Sequence, residues 1–272
     1  MSNQTVVLIT GASSGVGQST ARLLSQRGYK VFGTSRNPAG AESIPAVEML
    51  PLDVRSDDSV KTCVEAVFTR GGHLDVLINN AGYEVAGALE ELSSEEARAQ
   101  FETNFFGVVR MIKAVLPFMR QQRHGHIINV SSLSGLSAIP FLGIYSASKF
   151  ALEGYTEALR HEVKPFNIDV SLTEAAFLKT PMTHNRKVGT HRITEYDPWR
   201  ERAINAIRAY EEKGPGPELV SKTLLDIVSS TGPRLRYPIG QQAKSTTWLR
   251  RFLPARMYEQ GVRRTFSLDR TH

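Results

Sequence analysis

Short apolar runs alternate with longer segments of helical spacing along the first two-thirds of the chain. Thr5-Val-Val-Leu-Ile-Thr10 leads into a glycine turn and a helical pattern from about Gly15 to Arg27. Residues 30–35, 47–52, 76–79, 126–130 and 168–173 are further short apolar runs, with helical patterns at about 57–70, 93–120 and 145–163 between them. Near-continuous apolar strands separated by helices mark a parallel sheet covered on both faces, because each crossover helix buries one face. The pattern therefore predicts an α/β fold, a doubly wound parallel sheet with helices on both faces, in a single domain over 1–272.

After Thr180 the pattern changes. Residues 181–214 are polar, with Tyr196, Trp199 and Tyr210 set among charges, and they run into Gly214-Pro-Gly-Pro217. A long irregular segment in a compact domain reads as a lid over a site. A helix over 218–229 and a short strand around 235–237 are expected next, followed by a tail over 244–272. In the tail, Trp248, Leu249, Phe252 and Leu253 recur at helical spacing until Pro254 interrupts them.

Composition narrows the class. With 41% apolar and 22% charged residues among 272, the chain matches an ordinary globular protein rather than a disordered or fibrous one. The apolar runs are far shorter than the ~20 residues that span a bilayer. No basic residue precedes the first of them, as a secretion signal would require. The expectation is a soluble, cytoplasmic protein. The single cysteine, Cys63, excludes an internal disulfide and a cysteine-built zinc site. It falls in a helical pattern with Val60, Val64 and Val67 and reads as a core thiol. His124-Gly-His126 reads as a surface pair flanking a turn, and no metal is called for.

Charge is uneven. Residues 1–181 hold 16 Lys+Arg against 18 Asp+Glu, and the remainder holds 17 against 9. A basic half can signal nucleic acid or membrane, but without an extended basic run nucleic acid is not expected. The tail's 7 Lys+Arg and 2 Asp+Glu beside an apolar stripe could lie on an anionic membrane. The stripe is short and broken by proline. Docking on protein is the favoured reading, over a substrate pocket or on a neighbouring subunit of a homodimer or homotetramer.

Three motifs carry chemistry. In Thr10-Gly-Ala-Ser-Ser-Gly-Val-Gly17, Gly11 permits the tight turn, Gly15 admits a pyrophosphate and Gly17 lets helix and sheet pack closely. The loop, with Ser13, Ser14 and Val16, turns free amides and a helix dipole toward phosphates. No Lys-Ser/Thr pair follows the glycines, so this is not a P-loop. The second strand ends at Ser35-Arg36. An acidic residue there would hold a ribose diol, whereas a guanidinium suits a 2′-phosphate and favours NADP, unless Arg36 is merely a surface residue. Third, Tyr145-Ser-Ala-Ser-Lys149 opens a helical segment, so the tyrosine and lysine share a face. A nearby ammonium favours phenolate and would lower the tyrosine's ordinary pKa of ~10.

Thr10–Gly17, Asn79-Asn-Ala-Gly82, Asn104, Ser132 and Tyr145-Ser-Ala-Ser-Lys149, in this order and spacing, resemble the short-chain dehydrogenase/reductase family over about residues 5–180. Similar chains include hydroxysteroid and retinol dehydrogenases. The resemblance implies a single-domain Rossmann-like fold with about seven strands and a catalytic set falling on Asn104, Ser132, Tyr145 and Lys149. It further implies that Asp53 and Val54 meet the adenine, that Asn80, Ala81 and Gly82 line the ribose, and that Thr180 reaches the nicotinamide carboxamide. Tyr145 would donate a proton and Ser132 would bind the reacting oxygen. Lys149 would tune the tyrosine and hold the ribose, while Asn104 would hold a water leading to solvent. One departure stands out, since many relatives carry Pro-Gly after the sixth strand and this chain has Glu174-Ala-Ala-Phe177. Altered packing of the nicotinamide loop is expected there, with binding retained.

The expected activity is hydride transfer between NADP(H) and a carbonyl/alcohol pair. Leu133, Leu136, Ile139, Phe141 and Leu142, with Tyr196 and Trp199 of the lid, suggest an apolar pocket, although several of them could equally be core. The alternative is a regulator that binds NADP without catalysis, which would have no need for the four catalytic-type residues.

Overall fold

Seven strands run parallel in one sheet: β1 (Val6–Ile9), β2 (Lys30–Ser35), β3 (Val47–Pro51), β4 (Val76–Asn79), β6 (Gly125–Ser132), β7 (Ile168–Ala175) and β9 (Arg236–Ile239). Their order is β3-β2-β1-β4-β6-β7-β9. A two-stranded accessory sheet pairs β5 (Val85–Ala86) with β8 (Lys187–Val188). This computed structural model describes residues 4–269, apart from the side chains of His184 and Thr247. Residues 1–3 and 270–272, the chain's opening and the last of the tail, lie outside the described residues.

Alternate residues along each strand feed two cores. Leu8, Phe32, Leu77 and Ile127 face one side, where α2 (Asp57–Gly71), α4 (Gly107–Gln122) and α5 (Gly143–Val163) cover them. Val7, Ile9, Ile78 and Ile128 face the other, under α1 (Gly15–Gln26) and α8 (Glu218–Val228). Burial on both faces explains why the strands read as unbroken apolar runs. Since the crossovers from β1 and β4 leave in opposite directions, a crevice opens between them at the carboxyl ends.

A line of polar side chains crosses this dry interior close to that crevice. The Asn79 amide donates to Asn129 Oδ1 (2.9 Å), the Asn129 amide donates to Thr156 Oγ1 (2.9 Å), and the Thr156 hydroxyl donates to the Leu152 carbonyl (2.6 Å). The line ties β4, β6 and α5 together, and α5 carries Tyr145 and Lys149.

Four expectations need correction. The helical pattern at 93–120 is not one helix: α3 (Ser94–Phe101) and α4 are joined by a π-helical turn over Glu102–Phe106, which the apolar period does not register. α3 starts with a capping box, in which Ser93 and Glu96 exchange side-chain and backbone hydrogen bonds. The polar segment 181–214 is far from irregular. It holds α6 (Met182–Asn185), β8 and the 17-residue α7 (Asp197–Lys213), whose buried stripe of Ala203, Ile207 and Glu211 is too narrow to stand out in the sequence. His126 is a buried residue of β6, its ring 3.0 Å from the Ser171 hydroxyl, because β6 runs between β4 and β7 in the sheet interior. In the tail, α9 (Gln241–Phe252) and α10 (Ala255–Thr265) form as two helices around Pro254, but Trp248 and Phe252 are exposed rather than docked. Cys63 is buried as expected, and burial pushes its thiol up to about 12.

Asn129→Ala removes the middle of the polar line and leaves the Asn79 amide and the Thr156 hydroxyl without that partner. At roughly 1–3 kcal/mol per stranded buried group, the loss should reach about 2–4 kcal/mol. Urea unfolding of the variant beside the wild type measures it, and a difference within error would show the line to be dispensable.

Candidate active site

The crevice is built first from backbone. Gly11 (φ 69°) and Gly15 (φ 55°) adopt left-handed conformations. A Cβ at Gly17 would lie 2.2 Å from the Gly11 carbonyl oxygen, so the loop closes on helix α1 only with glycine there. Neighbouring residues hold the turn: the Thr10 hydroxyl accepts from the amides of Asn80 (2.9 Å) and Ala81 (3.0 Å), and the Asn80 side chain donates to the Thr10 and Gly11 carbonyls (both 3.0 Å). The Ser14 side chain does not cap α1, and no acidic residue sits in its first turn. The opening amides and the positive end of the helix dipole therefore suit an anionic group. Ser13 and Val16 belong to this loop, and Thr180 joins it through Pro181, whose ring approaches Gly15.

The other expected nucleotide contacts end the neighbouring strands. Ser35 and Arg36 follow β2; Arg36 is exposed and makes no ion pair among the described residues, while Ser35 Oγ accepts from the Asn37 amide (3.0 Å). Asp53 lies past β3, where its carboxylate takes a two-pronged bond from Arg55 (2.6 Å at Nη2). That bond outweighs desolvation and holds Asp53 at about 2. Val54 is buried, and a Cβ added to Gly107 of α4 would lie 2.7 Å from its Cγ2. Gly82 sits beside Asn104, with Asn104 Oδ1 3.2 Å from where a Cβ would be.

Ser132, Tyr145 and Lys149 come together where β6 ends and α5 begins. The Ser132 hydroxyl accepts from the Ser134 amide (3.1 Å) and stands close enough to the Tyr145 hydroxyl to favour its ionised form. Lys149 donates to the Val130 carbonyl (2.8 Å), with its ammonium 5.8 Å from the centre of the Tyr145 ring. Asn104, in the π-turn, donates to the Tyr83 carbonyl (2.9 Å) and to Ser148 Oγ (3.3 Å), and accepts from the Tyr83 amide (3.1 Å). π-turns frequently mark functional sites, since the extra residue redirects one side chain.

Electrostatics departs from the expectation drawn from spacing alone. Tyr145 is only 7% exposed, and burial raises its pKa above the ordinary phenol value. Glu84 and Glu211 push it the same way, against the Ser132 bond and Arg186. Burial lowers Lys149 to about 8, with Glu153 and Glu84 opposing. The spacing puts the ammonium on the tyrosine's face of the helix, but burial, seconded by Glu84 and Glu211, decides the direction of the phenol's shift.

The sequence reading missed the charged residues behind this. Glu84 and Arg186 meet at 2.6 Å and Arg186 and Glu211 at 2.5 Å, joining the residue before β5, the residue before β8 and α7 in one buried clamp. Burial pushes Glu84 up to about 7 and also raises Glu211. A second group joins Arg236 of β9 to Glu153 and, at 2.8 Å, to Glu174, where burial pushes Glu174 up to about 7. Instead of the Pro-Gly turn, β7 continues through Ala175, and the Ala176 amide donates to the Ile239 carbonyl (3.0 Å). A charged residue in an otherwise apolar strand was the available signal for Glu174. Glu84, Arg186 and Glu211 gave none, being scattered along polar segments.

Apolar side chains cover another part of Tyr145: Ala86, Ile139, Leu142, Ala203, Ile207 and Phe266 form one cluster with it. Tyr196 packs edge-on against Phe141 (6.5 Å) and donates to Glu90 (2.9 Å), whereas Trp199 lies against Arg202. A cleft of about 600 Å³ between Ala86 and α7 is instead walled by Glu91, Arg186, Arg192, Arg200 and Arg208, and Tyr145 does not line it.

A family model described as short chain dehydrogenase matches residues 5–190. The chain is 44% identical over 265 residues to a 3-ketodihydrosphingosine reductase of Bacteroides thetaiotaomicron, covering 95% of this chain and 96% of that one. It is 38% identical over 250 residues to the Bos taurus retinol dehydrogenase 8, covering 85% and 80%. Among solved structures, a short-chain dehydrogenase from Streptomyces avermitilis superposes with a TM-score of 0.82 at 29% identity, over 98% of both chains. ElxO with NADP bound superposes at 0.73 (25% identity; 89% and 99% covered), and a Burkholderia phymatum short-chain dehydrogenase/reductase in complex with NAD at 0.78 (26%; 92% and 93%).

Arg186→Met strands two buried carboxylates, and breaking a buried pair in this way costs about 3–5 kcal/mol. In the variant the folded-state pKa of Glu84 moves still further above its unfolded value. Stability should therefore fall as pH rises from the unfolded carboxylate value toward that raised one. Melting temperatures at pH 5.5 and pH 8.5 test this: the variant's deficit is expected to be larger at the higher pH. A deficit independent of pH would contradict the clamp's role.

Proposed function

The chain belongs to the short-chain dehydrogenase/reductase family of oxidoreductases, and from that premise we propose that it interconverts a hydrophobic carbonyl and its alcohol using NADP(H). The observation that carries this reading is the meeting of Ser132, Tyr145 and Lys149 at the carboxyl edge of the sheet, with Tyr145 packed against an apolar cluster. When bound, the nicotinamide supplies or accepts the hydride. In the reducing direction the Tyr145 hydroxyl donates a proton to the carbonyl oxygen. Ser132 hydrogen-bonds that oxygen and stabilises the charge developing on it. The Lys149 ammonium favours the tyrosinate left behind and orients the nicotinamide ribose. Asn104 fixes the Tyr83 backbone beside α5 and holds the water that leads from Lys149 to solvent.

The cofactor assignment rests on Arg36. Its exposed guanidinium, free of a carboxylate partner among the described residues, suits paired bonds to a 2′-phosphate. Asp53, the nearby acid, is already held by Arg55. Gly11, Ser13, Ser14, Gly15, Val16 and Gly17 would take the pyrophosphate, Ser35 and Arg36 the 2′-phosphate, and Asp53 and Val54 the adenine. Asn80, Ala81 and Gly82 would take the ribose and Thr180 the carboxamide. Two observations support a hydrophobic substrate: the cluster around Tyr145, and the names of two relatives, since 3-ketodihydrosphingosine and retinol both carry a long hydrocarbon portion.

Tyr145→Phe should lower turnover about 100-fold or more while leaving NADPH binding intact. A variant retaining more than a few per cent of turnover would remove Tyr145 from the proposed role. NADPH absorbance followed across steroid, retinoid, aliphatic and sugar carbonyls tests the substrate class, and activity on sugars alone would overturn it.

Arg36→Asp removes bonds worth about 1.5–3 kcal/mol each, so NADPH efficiency should fall more than tenfold while NADH use rises. Wild-type protein that uses NADH as well as NADPH would overturn the choice.

A further inference from the structure

The tail helices present two unlike faces. The inner face is seated on protein: Ala243 is fully buried, and the Arg250 guanidinium donates to the Leu136 carbonyl and lies 5.1 Å from the Phe150 ring centre. The Tyr258 hydroxyl donates to Ser137, and Phe266 is buried in the cluster around Tyr145. These contacts hold the helices beside the segment that follows the candidate serine, Ser132.

The outer face has no such partners. Lys244, Trp248, Arg251 and Phe252 stand at i, i+4, i+7 and i+8 and so share one side of α9. Trp248 is 59% exposed and Phe252 61%, their rings 5.3 Å apart. Arg251 lies over the Phe252 ring, and beyond Pro254 come exposed Arg256 and Met257, the latter 56% exposed. α9 contains no acidic residue, and Asp269 lies near Arg263 and Arg264 instead. Lys244, Arg251 and Arg256 make no ion pair among the described residues.

We propose that this outer face docks on an anionic lipid bilayer, with Trp248, Phe252 and Met257 entering the interfacial region while Lys244, Arg251 and Arg256 meet lipid phosphates. The charges select the occupant. A second copy packed face to face about a two-fold axis would bring these same cations near their own images. A neutral apolar partner would leave them unpaired. An anionic interface takes both the aromatic rings and the cations. No helix among the described residues is long and apolar enough to cross a membrane, so the contact is peripheral. Because the inner face touches Leu136, Ser137 and the Tyr145 cluster, docking turns that part of the site toward the lipid. Supply of an apolar carbonyl from the bilayer rests on the catalytic reading above, whereas docking itself does not.

The test uses the full chain and vesicles of phosphatidylcholine alone or mixed with phosphatidylglycerol. The protein should sediment with the mixed vesicles, be released by added salt, and ignore the neutral ones. In Trp199→Phe, where Trp248 is the remaining tryptophan, emission should shift to the blue on binding. Paired Trp248→Ala/Phe252→Ala and Lys244→Glu/Arg251→Glu variants should each bind more than about tenfold more weakly. Both should keep wild-type NADPH affinity and, if the catalytic reading holds, wild-type turnover of a water-soluble carbonyl. Equal sedimentation with both vesicle types, or with neither, overturns the proposal. So does an oligomer, measured without lipid, that dissociates in the Trp248/Phe252 variant, since a second copy would then cover the face. Vesicle binding without carbonyl reduction would leave docking standing and remove the catalytic reading; reduction without binding would do the reverse.

Discussion

All seven strands of the main sheet run parallel and are covered on both faces, so polar chemistry is forced to the carboxyl edge. The interior offers a polar group little water, and the line that enters it passes its hydrogen bonds along from Asn79 to Asn129 and from Asn129 to Thr156. At the edge the strands stop and the crossovers begin. There the glycine turn, Arg36, Asp53, Asn80 and Ser132 are delivered from five different strand ends to one crevice. The Thr10 hydroxyl and the Asn80 amide join two of those ends directly, so the turn and the loop after β4 hold each other in place.

Next to that crevice the protein buries an unusual amount of charge. Glu84, Glu153, Glu174 and Glu211 are paired by only two guanidinium groups, those of Arg186 and Arg236, with Lys149 nearby. Desolvation pushes Glu84 and Glu174 up to about 7 and pulls Lys149 down to about 8, so their ordinary charge states are only weakly favoured near neutrality. The same arrangement raises Tyr145, keeping the phenol protonated, which is the state that can give a proton away. One set of contacts thus ties the segment around Arg186 to the loop before β5 and to α7, and shifts the groups beside Tyr145.

The tail adds to these contacts. Phe266 packs with Tyr145, Ala203 and Ile207, and Phe177 stacks on Tyr210 of α7 at 5.1 Å, so α7 and the tail share a single apolar seam. That seam uses up the inner side of the tail helices. The outer aromatic and basic residues are left facing away from the fold.

Much of the fold was legible in the sequence because its signals are local. Four-residue apolar runs give buried parallel strands, glycines at 11, 15 and 17 give a turn that only they can make, and four-residue spacing puts Tyr145 and Lys149 on one helical face. The π-turn at Asn104 escaped because one extra residue in a turn hardly disturbs an apolar period. The length of α7 escaped because its buried stripe is narrow and ends in a glutamate. Of the two buried charge groups only Glu174 left a local signal, and the pairings themselves could not be read. Glu84 and Arg186 are 102 positions apart, and Arg236 and Glu153 are 83. Whether such residues meet, and whether they meet in water or out of it, is decided only when the sheet, lid and tail close around them. The sequence by itself therefore determined which backbone turns and helical faces could form. The tertiary structure decided which charges share a dry interior and which aromatic rings remain outside, because desolvation belongs to the assembled neighbourhood and not to the residue.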